Sequence, residues 1–236
     1  MAFGRRIIPP AGTSDAVSSG KKRAVLDAEV IRAHIANMIK ASADIVTFLL
    51  TTYRNDKGIH AETVIGAGAA LAGEFALRAA AAARRQPLPL KGWVVASDVD
   101  AIIAIAPEPK MTTLLTLIVD AAKDAGMPPT AAPEPLAIIA RTAQAVGGSP
   151  FPPLTVERSH YPLEWSPNAG PRHRAAIERI ARDHALDELG TAGALALAIG
   201  QIIKMTSNVL APAISARLAA EIMIGVSRMA PMQTEF

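Results

Sequence analysis

The chain contains no cysteine. Disulfides, thiolate nucleophiles and cysteine-bound zinc or iron–sulfur centres are thereby excluded together. Aromatic residues are scarce as well, at 4% of 236 positions. Half of the sequence is nevertheless hydrophobic, so the interior must be built mostly from alanine, leucine, isoleucine and valine. Alanine-rich interiors let helices approach closely, whereas sheets draw on β-branched and aromatic side chains. Composition therefore implies a mainly α protein: a multi-helix bundle with an N-terminal helical hairpin and at most a minor two-stranded β element.

Long uncharged runs are also missing. The most apolar of the longest, Leu189 to Ile203, covers fifteen residues and falls short of the roughly 20 that a bilayer crossing needs. Lys204 ends it, and Gly190, Gly193, Gly200 and Gln201 dilute it. On this basis no membrane span is expected. Arg5 and Arg6 are followed by Ile-Ile-Pro-Pro instead of the apolar run of a secretory leader, so the expected location is cytoplasmic. Neither sign of charge dominates, the formal net charge being +3. The basic excess is local: Arg5, Arg6, Lys21, Lys22 and Arg23 cluster near the N-terminus with only Asp15 among them. Such an arm suits nucleic acid or an anionic membrane, but no aromatics are interleaved for base stacking. A solvated leader is expected, and no nucleic-acid partner.

Catalytic signatures are absent too. There is no Gly-x-Ser-x-Gly, no phosphate loop ending in Gly-Lys-Ser/Thr and no His-Glu-x-x-His.

What is present reads as helix after helix. Residues 1–20, with Pro9, Pro10, Gly12 and Gly20, form the expected flexible leader to a single helical domain over 21–230. From Lys21 to Tyr53 the apolar residues Val30, Ile31, Ile35, Met38, Ile45, Val46 and Leu49 fall on one stripe. Asp27, Arg32, Asn37, Lys40 and Asp44 fall outside it. Arg54 to Gly58 reads as a turn, and a second helix is expected over 61–85, stopped by Pro87 and Pro89. Shorter helices are expected near 98–105, 111–125, 134–146, 172–186, 191–205 and 209–229. Strand candidates are 92–96, around Trp93-Val94-Val95, and 154–158.

Thr63-Val-Ile-Gly-Ala-Gly-Ala-Ala-Leu-Ala-Gly73 resembles the opening of a Rossmann dinucleotide-binding unit, in which a strand ends in a glycine turn beneath a pyrophosphate. That resemblance implies Gly66 and Gly68 at the cofactor turn and Asp98 as the acid on the ribose. Leu71 stands where the third glycine belongs. The same residues also give a helix with a small-residue face: Gly66, Ala69, Ala70, Gly73, Ala76 and Ala80 recur at three- and four-residue spacing.

The histidines do not converge. His34 lies on the first helix's apolar stripe, and His60 precedes the second helix. His173 and His184 are eleven residues apart on one helix, about 16 Å along its axis, too far to share a metal. His184 and Glu188 have i,i+4 spacing, but two ligands make no site. No metal and no cofactor are expected. The most distinctive stretch is Arg158-Ser-His-Tyr-Pro-Leu-Glu-Trp165, inside the proline-rich segment 149–171. Loops that combine large aromatics with polar groups are common binding surfaces, so His160, Tyr161, Glu164 and Trp165 form the candidate surface. The expected function is a non-catalytic helical module that binds a protein partner or its own copy as a homo-oligomer. The alternative is a dinucleotide-binding oxidoreductase using Gly66, Gly68 and Asp98.

Overall fold

The computed structural model describes residues 14–85, 88, 96–108 and 111–229. Among them are eight α-helices and one two-stranded antiparallel sheet, the mainly α multi-helix architecture that the composition implies. The order is α1 (Ser14–Thr52), β1 (Arg54–Asn55), β2 (Gly58–Ile59), α2 (Ala61–Ala83), α3 (Ala96–Ile103), α4 (Leu114–Asp124), α5 (Pro135–Ala145), α6 (Ala169–Asp183), α7 (Glu188–Thr206) and α8 (Pro212–Val226). The chain forms two compact units, 1–36 and 37–236. Of the first, the structure describes the N-terminal length of α1. That helix starts at Ser14, ahead of the expected Lys21, so part of the expected leader is helical; the rest lies outside the described residues.

The minor sheet forms, but not where the valines and isoleucines pointed. Arg54 pairs with Ile59 and Asn55 with Gly58, making a tiny hairpin of the segment that reads as a plain turn. The Lys57 N–H donates to Asn55 Oδ1 at 2.8 Å, and Gly58 adopts φ +104°, a conformation that favours glycine. Residues 154–158 form no strand, because the backbone N–H of Thr155 donates to the Glu221 carboxylate at 2.8 Å and not to a neighbouring strand. The other expected strand, 92–96, lies outside the described residues apart from Ala96, which begins α3.

Side-chain caps set several helix starts. His60 precedes α2 and its Nδ1 accepts from the Thr63 N–H, while Glu62 adds negative charge to the first turn. Thr113 caps α4 through Thr116, and Asp187 caps α7 through Gly190 at 2.7 Å. Each satisfies an amide that the helix itself leaves free. Helices α5 and α8 open with proline instead, whose fixed φ suits a first turn and whose missing N–H costs nothing there.

Within the second unit, α2 is the centre. It is buried along almost its whole length and packs on α6, α7 and α8. Small residues make this feasible. A Cβ at Gly73 would collide with the backbone carbonyl of Met223 in α8, so the two helices meet backbone to backbone. The residues of α1 from Ala41 onward join this core through Ala41, Ile45, Val46 and Leu49, all buried.

Charges inside the bundle are matched. Arg78 of α2 pairs with Glu178 and Glu188, both at 2.8 Å, and its guanidinium lies over the Phe75 ring. Buried Glu74 pairs with Arg174, buried Glu221 with Arg141 at 2.6 Å, and Asp100 with Arg228. Each pair joins two elements distant in sequence, so helix packing is specified by polar as well as apolar contacts.

Three of the described helices are long and apolar enough to cross a membrane: Ala28–Thr52, Ala61–Ala83 and Glu188–Thr206. This corrects the expectation of a cytoplasmic chain with no membrane span and only a protein partner or its own copy. A search for charge-free runs overlooked helices whose few charges leave mean hydropathy high. Burial separates the three. Within their apolar windows, Ala61–Ala83 is 94% buried, Glu188–Thr206 67% and Ala28–Thr52 only 28%. The apolar surface of α2 is therefore spent on the bundle, and that of α1 largely is not. In the first unit Val30, Ile31 and Ile35 are 68%, 58% and 48% exposed.

Candidate functional site

The segment from Gly148 to Asn168 has no α-helix or strand; its regular pieces are the 3₁₀ turns Arg158–His160 and Ser166–Asn168. Proline removes donors and fixes φ, and the aromatics fasten the path that results. The Trp165 indole N–H donates to the Phe151 carbonyl at 2.7 Å. The Tyr161 hydroxyl donates to the Leu154 carbonyl at 3.4 Å. Tyr161, Glu164 and Trp165 line one cleft of about 210 Å³ together with Phe151, Leu154 and Ile222. Leu163 and Trp165 remain exposed beside it.

His160, the fourth residue of the expected surface, lines a different cleft. Its Nδ1 lies 3.1 Å from Glu62 Oε1, and the other oxygen of Glu62 lies 3.5 Å from His60 Nε2. The Thr63 hydroxyl is 2.9 Å from His60 Nδ1 and accepts from the Leu163 N–H at 2.9 Å. Since His60 Nδ1 accepts from the Thr63 amide, the proton of that ring sits on Nε2, facing Glu62. The carboxylate thus bridges two imidazoles and fastens the loop to the start of α2. Among the described residues, no Ser or Thr hydroxyl is hydrogen-bonded to His160, and no three His, Asp or Glu residues are placed to hold a metal ion.

Sequence reasoning missed a second cluster. Tyr53, at the end of α1, places its hydroxyl 3.1 Å from His173 Nε2. The rings of Phe48 and Tyr53 both stand edge-on to the imidazole at 5.5 Å. Burial pushes the Tyr53 hydroxyl well above its ordinary range, and Glu164 pushes it further against the opposing Arg172. Burial likewise holds His173 below the usual histidine value, with Arg172 beside it acting in the same direction. Glu164 is itself paired with Arg172 at 2.5 Å. A lone tyrosine at a helix end in an aromatic-poor chain was the available signal.

Gly66 and Gly68 lie inside α2, five and seven residues past its first residue, Ala61. A dinucleotide turn needs a strand at 63–65 and free amides after it; here those residues are helical and the amides are engaged within the helix. A Cβ on Gly66 would stand 2.6 Å from Ser166 Oγ, so this glycine admits the end of the aromatic loop. Gly68 faces Ile199 and Leu49. Asp98 sits in the first turn of α3 and pairs with Arg84, whose guanidinium holds its carboxyl below the usual range.

Around Glu221 the loop, α5 and α8 enclose a further polar centre. The carboxylate is 1% exposed and accepts from Arg141, from the Thr155 N–H and from the Thr155 hydroxyl. Two clefts flank it and share Thr155 and Arg217 as walls. One, of about 240 Å³, also reaches Thr130, Glu134, Arg141 and Glu221. The other, of about 400 Å³, reaches Val156, Glu157, His160, Ala213 and Ile214.

Compared with protein-family models, curated proteins and solved structures, the chain matches none.

Proposed function

We propose that this chain is a non-catalytic helical binding protein that associates with a membrane through α1, whose apolar stripe enters an anionic bilayer. The observation that carries this reading is the contrast in burial among the three span-capable helices. At 28% buried, Ala28–Thr52 is the one whose apolar surface the protein itself leaves largely uncovered. Its exposed residues include Ile31, Ile35 and Ile39, whose i,i+4 spacing puts them on one helix face, with exposed Val30 about 100° to one side of Ile31. Glu29 and Lys40 are exposed too and lie on the other side of the helix, whereas exposed Arg32 borders the stripe, where a long side chain can carry its charge up to the headgroups. A two-faced helix of this kind inserts its apolar side among acyl chains and keeps its charges at the headgroups. Charge complementarity selects the anionic surface, because Arg5, Arg6, Lys21, Lys22 and Arg23 precede the stripe. Each basic residue near such a surface contributes about 1 kcal/mol.

Co-sedimentation with phosphatidylglycerol-containing vesicles tests the proposal. Each isoleucine moved from water into an apolar environment contributes about 1.5–3 kcal/mol. Ile31→Glu combined with Ile35→Glu should therefore lower partitioning by roughly a hundredfold or more. High salt should weaken binding of the wild type. Wild-type protein that stays in the supernatant, or a double variant that sediments equally well, rules the proposal out.

A further inference from the structure

The cleft of about 400 Å³ beside α8 is large enough for a small ligand, and its walls carry one charge of each sign. Glu157 comes from the proline-rich loop and Arg217 from α8. Both are exposed, they do not pair with each other, and neither has another ion pair among the described residues. His160 is the third polar wall. Its Nδ1 lies 3.1 Å from Glu62 Oε1. A carboxylate only accepts, so in the neutral ring the proton sits on Nδ1 and Nε2 is left as an acceptor. The rest of the lining, apart from Thr155, is aliphatic: half-buried Val156, Ala213 and Ile214.

We propose that this cleft binds a zwitterionic amino acid with an aliphatic side chain. Charge selects the class. The two charged walls cancel, so a ligand of either single charge satisfies one wall and meets like charge on the other, whereas a zwitterion satisfies both. The ligand's ammonium donates to the Glu157 carboxylate and to His160 Nε2. Its carboxylate accepts from the Arg217 guanidinium, whose planar fork matches two oxygens. The side chain covers Val156, Ala213 and Ile214, and removing that apolar surface from water adds affinity. None of these residues belongs to α1, so binding here is independent of membrane association.

Isothermal titration of the full chain with L-leucine tests this at about pH 8, where an ordinary histidine is neutral. Three parallel arms each remove one feature of leucine: isoamylamine lacks the carboxylate, isocaproate lacks the ammonium and glycine lacks the side chain. Wild-type protein should bind leucine with a Kd of about 1 mM or tighter, and each analogue at least about tenfold more weakly. Arg217→Gln and Glu157→Gln, both changes at exposed side chains, should each weaken leucine at least about tenfold. Ile31→Glu with Ile35→Glu should retain leucine binding, which separates the cleft from the α1 stripe. No heat with leucine, an analogue that binds as tightly, or undiminished binding by either glutamine variant would each overturn the assignment. So would loss of leucine binding in the α1 variant.

Discussion

Replacing Arg141 with methionine isolates what a buried carboxylate costs when its counter-charge is removed. Glu221 is 1% exposed and lies 2.6 Å from the guanidinium. Breaking a fully buried pair typically costs about 3–5 kcal/mol, most of it from the charge left behind. The Arg141 side chain is 34% exposed, and water screens the pair, which lowers the expectation to roughly 2–3 kcal/mol. For a chain of this size that corresponds to a fall in Tm of roughly 4–12 °C. The informative step is the second substitution. Glu221→Gln in the Arg141→Met background removes the stranded charge yet keeps an acceptor for the Thr155 donors. The double variant should therefore recover to within about 1 kcal/mol of wild type. Urea denaturation followed by far-UV circular dichroism measures all of these variants, with Glu221→Gln alone completing the cycle. A single variant as stable as wild type, or a double variant no better than the single, would refute the reasoning.

Gly73→Ala should destabilise by about 1–3 kcal/mol despite alanine's better helix propensity, because its methyl has only the Met223 carbonyl to move against; thermal denaturation measures it. His173 makes stability depend on pH. Its folded-state value is depressed by burial, so below about pH 6.5 the unfolded chain takes up a proton that the folded one refuses. Stability is full above that pH and falls as pH drops toward 5, and His173→Phe should show a shallower decline in Tm over the same range.

The helices were legible because proline, glycine and capping residues punctuate them. The helix expected over 61–85, stopped by Pro87 and Pro89, is kept as Ala61–Ala83, and that near 134–146 as Pro135–Ala145, whereas those near 191–205 and 209–229 begin three residues earlier and three later, at Glu188 and Pro212. Boundaries were less visible: α1 begins at Ser14, where no apolar stripe advertises it. The hairpin at Arg54–Ile59 escaped because strands of two residues carry no alternation to detect. The candidate surface was legible as a cluster but not as a geometry. His160, Tyr161, Glu164 and Trp165 are near neighbours in sequence, yet the 3₁₀ turn at Arg158–His160 sends His160 to one cleft and the others to another. Glu62, Arg141, Arg217 and Glu221 were invisible because their roles depend on partners that only the fold brings together. Hydropathy failed in the same way: an average along the chain cannot report which apolar residues a neighbouring helix has already covered.

The backbone contact at Gly73 has a mechanical consequence. Helices separated by interlocking side chains can slip by exchanging rotamers, whereas α2 and α8 have no intervening side chain to rearrange there. A shift of one turn would bring Ala69 or Leu77 against the Met223 carbonyl, and either would force the pair apart. The two helices must therefore move as one spar.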